Sequence, residues 1–557
     1  MLSLLVFVSL MSVSLPLYAG AYFIPGMGAR AQGRAAAHIV NGTDPSAAWF
    51  NVANLAASKG LQLRFDVTLL DYNVDFKRRP DNRAAEPCQL KDGKWVCQPA
   101  PRLFTTESTA AAQTLNSLDE WKAANYIDNT IYPEVHNTEG IFPLPTFMMT
   151  WDMNSDDWVL GLAVYAPNAA GKYGFPEDGP QRYSIINSDI FQINAQVSLA
   201  GEFWDDRIRI GLGGAYIWTR FKQRLMLSTP TLNALYEQDN SDSEDHTGEW
   251  YFRNLNPLLD VDFSTDATDP KGFGLTGGFA INPAWKLWLA TSFFYRSDIH
   301  ARGEFKSPTY GPIETISTRC MMVDPDNLQS VCDHSRPLML HAVIKQATLI
   351  RSGVGWKHDG LFDVELDFVY ETWNGHNRLD VYTEDVAIVM DSGSHLLKIT
   401  RVNRNLQDAW SLRMGGDYHA IRDLLTFRTG YFFEASAVAK EYLGVDMLDG
   451  DKHGFSFGTT VTAWGMDFDL ALSYIFYPEI KVDNSNRYAL ATVDEALDLP
   501  GFRNVKAGEY QREGGGSEYY SPQVMVGNGS YKIGYLIVGM GITFHVDEWF
   551  DFSSKRH

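Results

Sequence analysis

The chain has 557 residues, a formal net charge of −21 and an aromatic content of 13%. Phosphate binding needs a basic surface, so this acidic balance argues against a nucleic-acid-binding protein. No shift in composition and no long Pro-, Ser- or Gly-rich linker divides the chain, which leaves room for one large architecture.

Residues 1–21 have the composition of a signal peptide. The apolar run MLSLLVFVSLMSVSLPLYA ends at Ala19-Gly20-Ala21, which resembles a small-residue cleavage site, although the charged n-region is missing. The run is too short for a membrane anchor, and no later run reaches the roughly 18 apolar residues of a spanning helix. We therefore expect an exported protein without a transmembrane helix.

Residues 22–60 are rich in Gly and Ala and carry Arg30 and Arg34. They show neither a helical nor a strand period over a useful length. We interpret them as a plug, or hatch, that folds in the lumen of the structure built by the following residues. A frayed N-terminal arm is the alternative, since chain termini are often poorly ordered.

From residue 61 to residue 546, short segments alternate between apolar and polar side chains, most clearly in Leu61–Leu69 and Phe362–Phe368. Half-buried strands of a soluble sandwich look similar. However, aromatic residues near strand ends, charged residues on the polar face, and tight turns alternating with long loops are typical of an outer-membrane β-barrel. The pattern predicts an all-β fold, a transmembrane barrel of about 14 antiparallel strands: 61–75, 142–153, 157–166, 188–203, 206–222, 270–281, 284–297, 343–357, 362–374, 409–421, 425–434, 454–465, 467–479 and 531–546.

The tight turns would face the periplasm, which makes residues 547–557 a periplasmic tail. Four cysteines then fall in the outer loops as two local pairs, Cys88 with Cys97 and Cys320 with Cys332. Export favours two disulfides. A zinc site is the competing interpretation, but neither pair has CxxC spacing. We predict no cofactor and no metal site.

Several segments together resemble the FadL/TodX-type family of outer-membrane transporters for long-chain fatty acids and other hydrophobic compounds. Gly28–Ala35 is similar to the family's glycine-arginine opening, and Trp158–Pro167 resembles its third strand. Asn51-Val52-Ala53 stands where the family has Asn-Pro-Ala, so the backbone is less fixed here. The chain also departs from the family in its charged tail after Phe544 and in its longer outer loops.

The resemblance implies passive transport of a long-chain fatty acid in three stages. The ligand is captured among the outer loops, moves to a pocket above the plug, and leaves sideways through an inward kink in the third strand, which would lie beside Asn51–Ala53. The plug and its gate would use Arg30, Arg34, Asn51, Val52 and Ala53, and the lateral opening would use Gly161, Ala163 and Ala166.

Apolar side chains in the predicted outer loops are candidates for ligand capture, because Met suits pockets that accept varied shapes. Packing of the loops against each other is an equally good interpretation. The candidates are Leu225, Met226, Leu227, Met321, Met322 and Val323.

Strand parity points several arginines and acids into the lumen, where most would form structural ion pairs. One arginine could instead meet a substrate carboxylate. The candidates are Arg296, Arg351, Arg413 and Arg428. Arg220, Lys222 and Arg224 have outward parity, so we expect them to contact lipopolysaccharide phosphates or the foot of the capture groove.

Three alternatives stay open. The same fold could take up aromatic or aliphatic hydrocarbons, which need no arginine. A lipid hydrolase is a second alternative, because Gly454–Gly458 spells G-x-S-x-G around Ser456, although no helix pattern follows as that motif requires. A purely structural barrel is the third, and a plug argues against it. We expect a monomer in the outer membrane that contacts lipopolysaccharide and lipid.

Overall fold

The computed structural model of the protein describes residues 27–79, 88–91, 94–97, 132–155, 157–167, 172–228, 260–284, 286–306, 315–318, 320–324, 329–332, 338–358, 360–375, 378–390, 393–487 and 526–549. The predicted signal peptide and residues 550–557 of the predicted tail lie outside these ranges. Helices within them are short: α1 (Ala29–Gly33), α2 (Ala47–Phe50) and 3₁₀ helices at Val52–Ala57, Lys440–Tyr442 and Val546–Glu548. None of these helices is long and apolar enough to cross a membrane.

The remaining regular structure is all strand. In chain order the strands are β1 Leu61–Arg78, β2 Cys88–Lys91, β3 Lys94–Cys97, β4 Glu134–His136, β5 Phe142–Trp151, β6 Trp158–Tyr165, β7 Lys172–Gly174, β8 Asn187–Phe203, β9 Ile208–Ser228, β10 Asp260–Ala284, β11 Leu287–Arg296, β12 Ile299–Lys306, β13 Thr315–Thr318, β14 Cys320–Asp324, β15 Gln329–Cys332, β16 Leu338–Ile344, β17 Leu349–His358, β18 Phe362–Glu371, β19 Arg378–Met390, β20 Gly393–Asn403, β21 Ala409–Ile421, β22 Leu425–Glu434, β23 Lys452–Ala463, β24 Met466–Phe476, β25 Ile480–Val482 and β26 Gly529–His545.

Fourteen of these strands form a closed antiparallel barrel, as the alternation predicted. The ring of hydrogen-bonded neighbours runs β1, β5, β6, β8, β9, β10, β11, β17, β18, β21, β22, β23, β24, β26 and back to β1. Closure leaves no unpaired edge at the seam, because Leu63 of β1 pairs with Phe544 of β26 on one side and with Met149 of β5 on the other.

The wall continues past the predicted strand ends on the side of the long connections. β10 begins at Asp260 instead of residue 270, and β12, β16, β19 and β20 form strands in stretches that the sequence pattern assigned to loops. β12 pairs with both β10 and β16, so these additions extend the barrel wall itself. Two hairpins, β2–β3 and β14–β15, form separate small sheets.

The segment Met27–Lys59, called the N-terminal segment below, lies inside the ring. α1 packs against β22, β23, β24 and β26, whereas the 3₁₀ helix Val52–Ala57 packs against β6, β8, β9 and β10 across the barrel. Nearly all of its residues are buried. Contact with two facing arcs of a closed barrel is possible only from the interior.

Residues beyond the last strand fold back over the barrel seam. The Asp547 carboxylate accepts a hydrogen bond of 2.8 Å from the backbone N–H of Leu61, where β1 begins. Trp549 donates its indole N–H to the carbonyl of Trp464 in the β23–β24 turn, at 2.8 Å. Gly60 has φ of +68°, and a Cβ there would lie 1.8 Å from the Asp547 carboxylate. The first strand, the last strand and a neighbouring turn are thus joined at one point.

Candidate functional site

The inner surface of the barrel changes character halfway along the strands, and β1 shows the change within a single element. Between Leu61 and Leu69 apolar side chains face outward, while Arg64, Asp66 and Thr68 face inward. Between Leu70 and Lys77 the phase is reversed, with apolar side chains inward and polar ones outward. Half of β1 therefore suits lipid outside and a polar lumen, and the other half suits water outside and an apolar lumen.

Two other strands of the ring, β26 and β9, show the same reversal. In β26 the outward row changes from Met540, Val538 and Leu536 to Lys532, while Tyr535 and Ile533 are buried inside. In β9 the outward row changes from Leu212, Tyr216 and Trp218 to Arg220, Lys222 and Arg224. Because all three strands reverse on the side of the long connections, the reversal marks the outer limit of the membrane-facing belt.

Above this level the interior is covered by buried apolar side chains, called the upper lining below. Two clusters compose it. One contains Leu70, Tyr72, Val74, Phe76, Tyr173, Ile475, Tyr477, Tyr531, Ile533, Tyr535 and Ile537, and the other contains Phe221, Ile299, Phe305, Leu338, Leu340, Ile344 and Leu379. Sequence analysis missed these residues because it assumed that each strand keeps its apolar side chains on one face along its whole length. The reversal can nevertheless be read from the sequence of β1.

The connection between β22 and β23 folds into the upper lining instead of standing away from it. Its residues Val438, Leu443 and Met447 are buried in the first cluster. Asp449 accepts hydrogen bonds from the Ala437 N–H at 2.6 Å and from the Lys452 ammonium at 2.8 Å. Burial raises the pKa of Asp449 to about 7, and the attraction of Lys452 offsets this only in part.

Below the upper lining, Arg34 ties the N-terminal segment to β18 and β21. Its guanidinium lies 2.8 Å from the Asp363 carboxylate, 3.1 Å from that of Glu365 and 2.6 Å from that of Asp417. Burial lowers the pKa of Arg34, but the three carboxylates outweigh it and hold the pKa well above its ordinary value. The Val40 N–H also donates to Glu365, at 2.6 Å. Breaking such a buried pair from one side costs about 3–5 kcal/mol.

Arg30 forms the second ionic anchor of the N-terminal segment. It lies 2.6 Å from Asp467 and 3.3 Å from Asp469 of β24. Arg64 of β1 shares Asp469 at 2.8 Å and approaches Asp44 at 3.8 Å. The two arginines predicted for the plug thus lie in the interior, where inward acids surround them.

Glycines let the N-terminal segment touch the wall directly. A Cβ on Gly430 would lie 2.3 Å from the Arg34 carbonyl, and a Cβ on Gly211 would lie 2.6 Å from the Val52 carbonyl. Asn51, predicted as a gate residue, donates from its amide to the Ile39 carbonyl at 3.0 Å and accepts from the Ala53 N–H at 3.2 Å. Here Asn51 stabilises the local turn, and Val52 and Ala53 contact the fifth strand of the ring, β9.

The third strand of the ring, β6, ends at Tyr165, and β7 begins at Lys172; residues 168–171 between them are outside the described ranges. β5 pairs with β6 only from Phe147 to Trp151, and β8 pairs with β6 up to Asn194 and then with β7 from Asp189. Within the described ranges, Phe142–Thr146 of β5 and Ile190–Ile193 of β8 therefore have no strand partner on this side. Prolines 143 and 145 of β5 have no N–H for a ladder and suit such an edge. We call the stretch between β6 and β7 the third-strand gap.

The predicted lateral-opening residues lie along β6 up to this gap. Ala163 and Ala166 are buried, and Tyr165 is the last residue of β6. The N-terminal residue nearest to Gly161 is Leu55, whose Cδ1 would be 2.7 Å from a Cβ at Gly161. Leu55 belongs to the 3₁₀ helix Val52–Ala57, which packs against β6. The expectation that Asn51–Ala53 lie beside the third strand stays a prediction.

Two of the four candidate lumen arginines are neutralised by carboxylates. Arg413 lies 3.0 Å from Glu434, and Arg428 lies 3.1 Å from Asp417. Arg428 also lies 3.3 Å from Asp469, so it joins the ionic anchors described above. Parity correctly predicted that both face inward, but their partners come from other strands.

Arg296 and Arg351 bind backbone carbonyls. Arg296 donates to the Ala347 carbonyl at 2.7 Å. Arg351 donates to the carbonyls of Trp49 and Phe50 in α2, at 2.7 and 3.3 Å. Arg351 is buried, and no carboxylate forms an ion pair with it in the part of the chain that the structure describes.

The capture candidates occupy different environments. Leu225 is half-buried in β9, and Met226 packs against Tyr183 and Val526. Leu227 lies in β9, and Met321, Met322 and Val323 lie in β14, but the described residues do not include their side chains.

The cysteines lie in the two small hairpins, where the register sets Cys88 opposite Cys97 and Cys320 opposite Cys332. This register suits the predicted disulfides, which stay a prediction.

The outward cations of β9 are already paired. Arg220 and Lys222 lie 2.9 and 3.2 Å from Asp266 of β10, and Arg224 lies 2.6 Å from Asp262. Their outward position follows the predicted parity. Because carboxylates already neutralise these cations, they should bind phosphate less strongly than the unpaired cations that the sequence suggested.

Ser456 is a strand residue. It is buried in β23, its hydroxyl lies 2.8 Å from that of Ser473, and β23 continues past it to Ala463. A nucleophilic serine of the G-x-S-x-G type needs a sharp turn between a strand and a helix. That geometry is absent around Ser456.

A sequence profile described as outer membrane protein transport protein (OMPP1/FadL/TodX) matches residues 10–499. A FadL homologue from Pseudomonas aeruginosa is 13% identical, with 94% of this chain and 100% of that chain covered at a TM-score of 0.62. The Pseudomonas putida toluene transporter TodX is 13% identical, with 93% and 98% covered at 0.52. The Ralstonia pickettii toluene transporter TbuX is 11% identical, with 94% and 99% covered at 0.51. No curated protein matches the chain.

Proposed function

The chain belongs to the OMPP1/FadL/TodX family of outer-membrane transport proteins, and from this premise we propose that it carries hydrophobic small molecules passively across the outer membrane. The reversal of strand polarity carries the proposal. Apolar surface in water costs about 25 cal/mol per Å². A wall that is charged outside and apolar inside, as above Leu70 in β1, gives an apolar solute a favourable path through the polar layer of the outer leaflet.

The proposed route has three stages. The ligand enters among the outer connections, where the half-buried Leu225 and the second cluster of the upper lining offer apolar contact. It then moves along the upper lining to the N-terminal segment, which acts as a plug because its two ionic anchors hold it across the interior. Release occurs sideways through the third-strand gap.

We propose a long-chain fatty acid as the ligand, because Arg351 is suited to bind a carboxylate. In the described part of the chain the Arg351 guanidinium hydrogen-bonds to backbone carbonyls, so it can gain a charge-assisted hydrogen bond with a carboxylate, which is worth about 1.5–3 kcal/mol. Arg413 and Arg428 already have acidic partners. Arg351 therefore has stronger support than Arg413 and Arg428.

A specific observation favours hydrocarbons as the second candidate. The Trp49 indole lies 4.9 Å from the Arg351 guanidinium, and the rings of Tyr165 and Phe294 meet this indole edge-on. Such rings could bind a neutral aromatic ligand by edge-to-face contact without any ion pair.

Uptake measurements separate these proposals. We expect cells that lack their own transporter to take up labelled oleate when they express this chain. Replacing Arg351 by Gln should lower oleate uptake about 10-fold or more, from the loss of the charged hydrogen bond, and leave toluene uptake unchanged. Arg351→Lys should fall between. Arg220→Gln, which removes an exposed outward cation, is the matched control.

The outcomes differ for each proposal. Toluene uptake without oleate uptake would replace the fatty acid by a hydrocarbon. Failure of the unmodified chain to take up either compound would refute the transport proposal itself. Equal oleate uptake by wild type and Arg351→Gln would remove Arg351 from the carboxylate site but leave transport intact.

A further inference from the structure

The outer face of the wall carries three exposed basic side chains at the junction of β10 and β12. These are Lys271, His300 and Arg302, called the basic cluster below. His300 and Arg302 point away from the lumen, because Ile299 and Ala301, which alternate with them, are buried. Among the residues that the structure describes, no carboxylate forms an ion pair with any member of the cluster.

A bulge in β10 brings the members of the cluster together. The pairing of β10 with β9 shifts between Asp269 and Gly272. The buried Asp269 carboxylate accepts the backbone N–H of Lys271 at 2.9 Å and that of His300 at 2.8 Å. Asp269 therefore binds the backbone of both residues, not their basic side chains, and joins the bulge to the beginning of β12.

Arg302 lies between two other hydrogen-bonding side chains. The register sets it opposite Thr268 of β10 and opposite His341 of β16, and side chains opposite each other have Cβ atoms about 4.5–5.5 Å apart. The rings of His300 and His341 stack at 5.7 Å between centroids. Hydroxyl and imidazole groups can both donate hydrogen bonds to an anion. Glu304 shares the outward row of β12 but lies farther from the membrane-facing belt.

The basic cluster lies directly above the apolar belt. Phe273 and Tyr295 are 49% and 43% exposed, and their rings meet at 6.1 Å between centroids. Lys271 precedes Phe273 by two positions on β10. The outward row of β9 becomes cationic just after Thr219, which pairs with Asp269. An amphiphile with an anionic head group and acyl chains can therefore contact the cluster and the aromatic rings at once.

We propose that Lys271, His300 and Arg302 bind a phosphate group of lipid A, the lipid anchor of lipopolysaccharide, while its acyl chains lie on Phe273 and Tyr295. Arginine and lysine form charge-assisted hydrogen bonds with phosphate oxygens. The cations of β9, for which the sequence predicted such a contact, already have acidic partners. The surface lies on the outside of the barrel, so this inference does not depend on the transport function.

Binding of purified lipid A to the full-length protein in detergent tests the proposal, with native mass spectrometry as the measurement. We expect the double variant Lys271→Gln/Arg302→Gln to bind bis-phosphorylated lipid A about tenfold or more weakly than wild type, because charged hydrogen bonds are lost. Arg302→Lys should be intermediate, since lysine keeps the charge without the planar fork. Lipid A without phosphate groups should bind wild type and double variant equally.

Arg220→Gln is the matched control. Arg220 is also an exposed outward cation, but it is paired with Asp266, so its loss should leave lipid A binding unchanged. Inorganic phosphate is the second probe, and it should displace lipid A poorly because it makes no contact with the aromatic belt. The temperature-dependent gel mobility of folded barrels would verify that each variant is folded.

Three outcomes would contradict the proposal. Equal binding of bis-phosphorylated lipid A by wild type and double variant would show that the basic cluster is not the site. An equal loss in Arg220→Gln would show that the lipid responds to overall charge and not to this cluster. Equal binding of inorganic phosphate and lipid A would show that the lipid is not the ligand. Uptake of oleate or toluene is a separate measurement, so none of these results bears on transport.

Discussion

At the scale of single residues, Asp449 shows how a charged group can be kept inside an apolar lining. It lies in the β22–β23 connection, within 2.8 Å of the Lys452 ammonium, and Lys452 in turn lies 2.9 Å from Glu434. Two carboxylates thus share one ammonium among buried apolar side chains. Burial keeps the pKa of Asp449 near 7, so its charge changes under ordinary conditions.

This raised pKa predicts that the connection docks more firmly in mild acid. An exposed aspartate has a pKa of about 4, so between pH 4 and pH 7 the docked state binds a proton that the undocked state has released. Docking therefore weakens as the pH rises through this window, by at most about tenfold per pH unit, and levels off above pH 7. Hydrogen-exchange protection at Ala437, whose N–H donates to Asp449, should be lower at pH 8 than at pH 5.

Asp449→Asn supplies the control for this effect, because asparagine keeps an acceptor oxygen and cannot ionise. Protection at Ala437 should then be independent of pH. If the wild type shows the same protection at pH 5 and pH 8, the ionisation of Asp449 does not affect docking.

Strand parity predicted the direction of side chains such as Arg351 and Arg413 correctly, because alternation is a local property. It could not predict the partners of inward side chains. Arg351 binds carbonyls about 300 positions away in sequence, and the inward Asp367 accepts hydrogen bonds from the N–H groups of His38 and Ile39. Such contacts depend on the path of the irregular N-terminal segment, whose sequence has no periodic pattern from which that path can be predicted.

At the scale of elements, the last residues of the chain act on the first strand. The contact of Asp547 with Leu61 and that of Trp549 with Trp464 join both ends of the barrel seam. Gly60 is needed there, because its φ of +68° is unfavourable for other residues and a side chain would meet Asp547. The sequence suggested only a charged tail at this place.

We predict that Gly60→Ala destabilises the barrel by about 1–3 kcal/mol, the usual cost of a non-glycine residue in such a conformation together with displacement of Asp547. Urea unfolding of the refolded protein would measure this cost. Gly140→Ala is the matched control, since a Cβ there meets nothing within 4 Å, and it should stay within about 0.5 kcal/mol of wild type. Equal midpoints for the two variants would show that the seam contact is dispensable.

The strand prediction succeeded where one periodic pattern covers the whole element, as in β21 and β22, whose bounds match the expected 409–421 and 425–434. It failed for β12, Ile299–Lys306, which was assigned to a loop. β12 alternates as strictly as the others, but its outward row is charged and its inward row is apolar. A strand of this kind is missed when strands are identified by apolar residues on the outward face.

At the scale of the whole molecule, the N-terminal segment and the wall neutralise each other. Arg30 and Arg34 supply positive charge to Asp363, Glu365, Asp417, Asp467 and Asp469. Without the segment, these acids would line an open interior and attract cations.

Deleting Met27–Lys59 should therefore produce an open channel that prefers cations, at least several-fold over anions. Conductance and reversal potential in planar bilayers with a potassium chloride gradient would measure both properties. Lys59→Ala is the control, because that side chain is exposed and its nearest carboxylate is 3.8 Å away; it should leave the barrel closed. A deletion variant that conducts no better than wild type would show that the segment is not what blocks the interior.

The reversal in β1 also has a consequence for how such a protein could change over time. Side chains on a strand swap faces when the chain slips by one position. Insertion of one residue between Leu69 and Leu70, with equivalent insertions in the neighbouring strands, would place the apolar side chains of both halves on the same face. The outer half would then have its apolar side chains facing the outside of the barrel and its polar side chains facing the lumen. On this scaffold, a shift of one residue therefore separates an apolar channel from a water-filled pore.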